Sequence, residues 1–181
     1  MINSDRNFHT LIVGAGQAGL ATSFFLSRHK VPHTVIDRRG LGASWKYDRW
    51  DSFTLVTPNW TIQLPGASYT DDSPDSFLSR DEFIGWLERW AESFDCPLVS
   101  GVEATNLDRA NNGKFMVETT EGYWQSKNVV IATSTYQHPR RLALSQHIPP
   151  EIKQLDASNY RSPSVLPSGS VLVIGSGQTG C

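Results

Sequence analysis

Short apolar runs without polar alternation recur along this chain, each closed by glycine or by a turn signal. Thr10-Leu11-Ile12-Val13, ending at Gly14, is the first, and an unbroken run of this kind is expected of a parallel strand buried on both faces. A helix is predicted from Gln17 to His29, with Leu20, Phe24 and Leu26 among its apolar positions and Pro32 barring its continuation. Thr34-Val35-Ile36-Asp37 reads as a second buried strand, closed by Arg39-Gly40. The opening of the chain is therefore expected to be a β-α-β crossover.

From residue 41 to 76 periodicity gives way to Gly, Pro, Asp and Trp, which predicts a long irregular excursion from the sheet with at most one short helix. Loops of this length usually serve a site. Ser79 and Glu82 form a capping box, and Phe83, Leu87, Trp90 and Phe94 then line one face of a helix that Pro97 ends. Trp86 and Trp90, on the same helix, read as core. Leu98-Val99 with Val102 to Leu107 is expected to be one strand region. Phe115 to Thr119 and Tyr123 to Ser126 flank Thr120-Glu121-Gly122 as a hairpin, and Val129-Val130-Ile131-Ala132 reads as a further buried parallel strand. Residues 139–170, rich in Pro and Ser, look like a connecting stretch. Val171-Leu172-Val173-Ile174 is expected to be a strand that starts the crossover pattern again.

The first strand and helix enclose Gly14-Ala15-Gly16-Gln17-Ala18-Gly19, a G-x-G-x-x-G in the context that marks a dinucleotide fingerprint. Each glycine has its own reason: Gly14 for the positive φ of the turn, Gly16 for the approach of a pyrophosphate to the backbone, Gly19 for close helix–strand packing. The amides that open the helix then face the phosphates. Asp37, about twenty residues on at the end of the second strand, is placed to hydrogen-bond a ribose. The motif by itself does not separate FAD from NAD(P).

Composition narrows the field further. The 181 residues carry a net charge of −2, which leaves no broad basic field for nucleic acid or an anionic membrane. Cys96 and Cys181 form no C-x-x-C, and the five histidines make no cluster with metal-ligand spacing, so no metal site is expected. No apolar run approaches the ~20 residues of a membrane span, and the polar start lacks a signal-peptide pattern. A small-molecule protein of the cytoplasm is the expectation.

The residues after the first motif decide the dinucleotide. Gly42-Ala43-Ser44-Trp45, Arg49-Trp50-Asp51-Ser52, Thr57-Pro58 and Leu64-Pro65-Gly66 resemble the segment after the FAD motif in flavin-containing monooxygenases and their bacterial and plant relatives. Ala132-Thr133-Ser134-Thr135-Tyr136-Gln137-His138-Pro139 is similar to that family's A-T-G-x-Y-x-x-P linker, and Gly175-Ser176-Gly177-Gln178-Thr179-Gly180 to its second, NADPH-binding motif. The resemblance implies an α/β fold: a Rossmann-like FAD-binding domain with a central parallel sheet, crossover helices and a β-hairpin or meander, over residues 1–165. The first strand of a second nucleotide-binding domain would come next in 166–181, where the chain stops before that domain's first helix. It also implies FAD reduced by NADPH or NADH, with oxygen and a small-molecule substrate as partners. The flavin supplies the chemistry and no side chain is assigned as catalytic.

Gly14, Ala15, Gly16, Gln17, Ala18, Gly19, Asp37, Arg38, Ser44, Trp45, Val102 and Thr133 are the candidate FAD contacts, and Gly175, Gly177 and Gly180 those of the second nucleotide. Several have a second reading. Trp45 and Trp50 either wall the flavin or pack in the core, Arg38 either lies against the adenine or is a surface charge, and Thr133 either lines the site or packs. Val102 is placed to offer the adenine its backbone. The chain also departs from the family pattern. Ser134 replaces the linker glycine and Leu142 the last proline of the extended linker, and Val56 stands where animal-type members carry an asparagine, with Asn59 a nearby candidate. Asp156 takes the place of a histidine ahead of Tyr160. Two rivals remain: a disulfide-reductase-type flavoprotein, which needs a redox cysteine pair, and an FAD-binding fragment without turnover.

Overall fold

The computed structural model describes residues 6–70, 72–135, 139–177 and 179–180. Its centre is a six-stranded sheet built around β1 (Asn7–Val13), which is parallel to β2 (His33–Asp37) on one side and to β8 (Gly122–Ile131) on the other. β5 (Leu98–Ser100) extends the parallel part beyond β2, and β7 (Phe115–Thr119) and β6 (Ala104–Arg109) add an antiparallel meander beyond β8. The order is β5-β2-β1-β8-β7-β6. This is the α/β architecture expected, a mostly parallel sheet with α1 (Gln17–Arg28) as the crossover between β1 and β2.

Successive side chains of β1 point to opposite faces, which divides the core. Leu11 and Val13 join Ile36, Val102, Val117 and Trp124 on one face, while Ile12 joins Ala15, Val35 and Leu26 of α1 on the other. A third cluster unites Leu20 of α1 with Phe83, Leu87 and Trp90 of α3 (Arg80–Glu92) and with Phe53, Leu55 and Ile62. The last three belong to the 41–76 excursion, so that segment is fastened by its own apolar residues. It contains the short α2 (Ala43–Tyr47), a 3₁₀ turn at Asn59–Thr61 and a two-residue hairpin of β3 (Gln63–Leu64) and β4 (Ala67–Ser68).

The capping box forms as expected: Ser79 donates its amide to Glu82 Oε2 at 2.8 Å, and Ser79 Oγ accepts from the Glu82 amide. The Ser79 hydroxyl, donating to Glu82 Oε2 at 2.6 Å, and the Ser79 amide hold the Glu82 carboxyl below its usual range. Phe94 falls outside the helix, because the chain turns at Ser93 and Asp95 takes φ 51°.

Three expectations need correction. Residues 98–107 are two strands at opposite edges of the sheet, since Gly101 at φ 82° breaks the run and sends the chain across. Residues 122–131 are one strand that pairs antiparallel with β7 and parallel with β1, and Ile131 at its end is 59% exposed instead of buried. Val171 to Ile174 form no strand; Leu172 is 83% exposed. A strand needs a neighbour to satisfy its amides and carbonyls, and among the described residues no ladder reaches this run. Residues 139–170 are a connecting stretch with 3₁₀ turns at Ala143–His147 and Pro163–Val165. Among the described residues no helix is long and apolar enough to cross a membrane.

Candidate functional site

The carboxyl ends of β1, β2 and β8 meet at the first glycine loop. Gly14 takes φ 110°, and a Cβ there would lie 2.5 Å from the carbonyl oxygen of Ala132, just past β8. A Cβ on Gly19 would lie 1.8 Å from the carbonyl oxygen of Gly14. The protein's own packing therefore demands both glycines. Gly16 differs, because a Cβ there would meet nothing within 4 Å. The protein's own packing does not require a bare backbone at this position.

The start of α1 supports that difference. Its N-cap is Gly16, with no side-chain cap and no acidic residue in the first turn, and Gln17 and Ala18 are exposed. The first amides of any helix lack partners inside it. At α3 the capping box and the first-turn residues Asp81 and Glu82 fill that role; at α1, among the described residues, no side chain caps the helix and no acid stands in its first turn.

Asp37 is bound into this loop. Its Oδ2 accepts from the Ala15 amide at 3.0 Å, and its Oδ1 accepts from the amides of Arg39 at 2.8 Å and Gly40 at 3.0 Å. A carboxylate offers about four lone-pair directions, so Oδ2 keeps one for a further donor. The Asp37 carbonyl accepts from the amides of Gly101 and Val102, which places Val102 beside the same strand end with its side chain in the core. Thr133 is half-buried, and its nitrogen would lie 3.3 Å from a Gly14 Cβ. Gly42 donates its amide to Ala15 O at 3.0 Å, which hangs α2, with Ser44 and Trp45, from the glycine loop.

Other candidates divide. Trp45 stacks edge-on against Phe83 at 4.8 Å and Trp50 against Phe53 at 4.9 Å, so both pack on the core from the excursion. Arg38 is exposed and reaches Glu103 at 3.4 Å. Asn59 is buried; its Nδ2 donates to Ser73 O and its Oδ1 accepts from the Leu78 amide, which makes it a clamp within the excursion. Val56 is exposed. Ser134, standing in for a linker glycine, holds φ 68°, a conformation suited to glycine. Tyr136, Gln137, His138, Gln178 and Cys181 lie outside the described residues.

The second motif repeats the first in local shape. Gly175 takes φ 125°, a Cβ on Gly180 would lie 2.3 Å from Gly175 O, and one on Gly177 would meet nothing within 4 Å.

Arginines were the residues least visible in sequence. Arg39 grips Asp48 with both terminal nitrogens, and this hydrogen bonding holds the Asp48 carboxyl below its usual range. Arg141 holds Asp156, the residue at the expected histidine position, through Nε and one terminal nitrogen, and that carboxyl too is kept below its usual range. Arg161 donates to the carbonyls of Tyr47 and Arg49. The signal for these was absent because their partners are distant in the chain or are backbone atoms. A cleft of about 610 Å³ lies between Lys46, Arg80 and Arg161, and none of its lining residues belongs to the glycine loop. We assign the site from the loop geometry, because that is where backbone donors and a carboxylate converge.

A family model described as pyridine nucleotide-disulphide oxidoreductase matches residues 11–181. The CzcO-like oxidoreductase of Geobacillus kaustophilus is 33% identical, over 94% of this chain and 48% of its own length. A probable indole-3-pyruvate monooxygenase of Arabidopsis thaliana, YUCCA10, is 31% identical, over 94% and 46%. The chain thus spans about half the length of the curated relatives it matches. Among solved structures, a mutant flavin monooxygenase from Stenotrophomonas maltophilia superposes with a TM-score of 0.81 at 22% identity, over 97% of this chain and 52% of that one. Bacillithiol disulfide reductase from Staphylococcus aureus gives 0.64 at 16%, over 71% and 39%.

Proposed function

This chain belongs to the pyridine nucleotide-disulphide oxidoreductase family, and from that premise we propose that it is the FAD-binding part of a flavin-dependent monooxygenase that uses NAD(P)H and oxygen on a small-molecule substrate. The observation that carries the reading is the start of α1: a helix without a cap of its own, opening beside a glycine whose missing side chain no protein atom requires. Such an end suits a pyrophosphate, because amide donors and the positive end of the helix dipole coincide there.

In this reading Gly14, Ala15, Gly16, Gln17, Ala18 and Gly19 cradle the pyrophosphate of FAD. Asp37 Oδ2, with one direction left to accept, takes a ribose hydroxyl, and Val102 offers its backbone toward the adenine. Ser44, Trp45 and Thr133 border the flavin side, and Arg38 flanks the adenosine. Once bound, FAD supplies the redox chemistry; the chain binds, orients and shields it. Residues 1–165 constitute the FAD unit and 166–181 the beginning of a second nucleotide unit, in which Gly175, Gly177 and Gly180 serve NADPH or NADH. Because the chain spans half of its relatives, turnover belongs to a protein carrying both units. We place that protein in the cytoplasm, without nucleic acid or membrane as a partner.

The sequence likeness to a probable monooxygenase of Arabidopsis thaliana supports this reading over a disulfide reductase. So does Cys96, which burial pushes upward in pKa and which contacts Ser23 Oγ at 3.4 Å, an arrangement for an inert thiol. An FAD-binding unit without turnover is the second reading, favoured by the half-length match. Adding FAD to the purified chain, removing the excess and recording the visible spectrum tests the binding step. A retained yellow chromophore is expected; a colourless protein refutes the reading.

A further inference from the structure

The short helix α2 is held through its backbone groups at both ends by hydrogen bonds to distant parts of the chain, one from main chain to main chain and one from a side chain. At its start, Gly42 donates to Ala15 O at 3.0 Å, inside the glycine loop. At its end, the Tyr47 carbonyl has no further helical turn to bond to, and the guanidinium of Arg161 donates to it and to the carbonyl of Arg49 just beyond the helix, at 3.2 Å to Arg49 O. The same nitrogen also donates to Tyr160 O at 3.1 Å, which fixes the guanidinium plane. Arg161 completes the junction through its own carbonyl, which accepts from the Asp51 amide at 2.8 Å. A residue more than a hundred positions downstream thus sets the far end of the helix that bears Ser44 and Trp45.

Those contacts are of a kind that no other side chain reproduces. A guanidinium presents several donors in a fixed planar fork, whereas an ammonium is a point charge with no preferred plane. A five-residue helix is too short to hold its own direction, so its tilt follows its attachments: Gly42 to Ala15 O, Trp45 on Phe83, Arg39 on Asp48, and Arg161 on the Tyr47 and Arg49 carbonyls. We infer that Arg161 is a positioning residue: by clamping the Tyr47 and Arg49 carbonyls it helps set the helix that bears Ser44 and Trp45 and starts at the glycine loop, and with it the orientation of the flavin. The second part rests on the proposed FAD site; the first does not. The connecting stretch therefore reports its own position to the cofactor side of the molecule.

Arg161→Ala and Arg161→Lys, with Arg109→Ala in the meander as a control, test this on the full chain. Hydrogen exchange without cofactor is expected to show faster exchange confined to residues 42–51 in Arg161→Ala, with α1 and α3 unchanged. FAD titration is expected to give about tenfold weaker binding for Arg161→Ala and an altered visible circular dichroism of the bound flavin. Arg161→Lys is expected to restore part of the affinity without the wild-type dichroism, and Arg109→Ala to match the wild type throughout. Unchanged exchange at 42–51 overturns the clamp whatever the flavin does, and unchanged dichroism in Arg161→Ala overturns its role in orienting the cofactor. A wild-type chain that takes up no FAD overturns the flavin reading and with it the orienting role, while exchange still decides the clamp.

Discussion

Ala15 donates its amide to Asp37 Oδ2 at 3.0 Å, so the glycine loop at the end of one strand is wired to a carboxylate at the end of its neighbour. Because Oδ1 accepts from Arg39 and Gly40, both oxygens of Asp37 are used before any ligand arrives. Asp37→Asn replaces one acceptor by a carboxamide NH2 donor, which must then face an N–H whichever way the amide turns. We expect a loss of about 1–3 kcal/mol in urea denaturation without FAD, together with weaker FAD binding. Unchanged stability would show that the loop is held by other means.

Two glycines of one motif separate folding from binding. Gly19→Ala drives a Cβ against Gly14 O at 1.8 Å and is expected to cost about 3 kcal/mol or prevent folding. Gly16→Ala meets open space, so its thermal unfolding should stay within about 1 kcal/mol of wild type. Its FAD affinity should nonetheless fall by at least about tenfold, since in the proposed site the new methyl group would stand in the path of the pyrophosphate. A Gly16→Ala protein that binds FAD normally removes the argument from the open glycine.

The parts of this molecule that depend on local pattern were legible in sequence. The β-α-β start, the Ser79 capping box and the buried Phe83, Leu87 and Trp90 follow from periodicity and capping, which neighbours in the chain determine. What depended on long-range pairing was not. The break at Gly101 and the fusion of 122–131 into one strand are decided by partners on β2, β7 and β1, and Val171 to Ile174 shows the converse, a strand-like sequence without a ladder. At the site, the glycines and Asp37 were readable because each answers to a backbone rule. Arg39, Arg141 and Arg161 were not, since long flexible side chains find partners that no spacing announces.

Ser134 carries a cost that its sequence context suggests and its backbone shows. At φ 68° a side chain with a Cβ is disfavoured by about 1–2 kcal/mol, and glycine's larger unfolded-state entropy offsets part of any gain. Ser134→Gly is therefore expected to raise stability by about 0.5–1 kcal/mol, seen as a higher melting temperature. A lower one would mean that the serine's own contacts outweigh the backbone term.

Asp48 gives the fold an acid limit whose sign can be worked out. Hydrogen bonding to Arg39 lowers its pKa in the folded state, with Arg49 and Arg161 adding to the effect, while the unfolded chain keeps a value of about 3.9. A carboxyl depressed by folding stabilises the protein above its unfolded pKa, and the contribution fades as pH falls below about 4 toward the lower folded value. Asp48→Asn removes this contribution and leaves the Arg39 fork with a single acceptor. The pair is part-exposed, so about 1 kcal/mol is expected at pH 7. Melting curves of both proteins should therefore run apart by a constant amount from pH 7 down to about 5 and converge as the solution becomes more acidic than about pH 4. Added salt should narrow the gap at neutral pH, because the ions at this junction still face water. A gap that persists unchanged into acid would mean that Asp48 acts through packing, and the charge pairing that fastens α2 to the end of β2 would have to be assigned elsewhere.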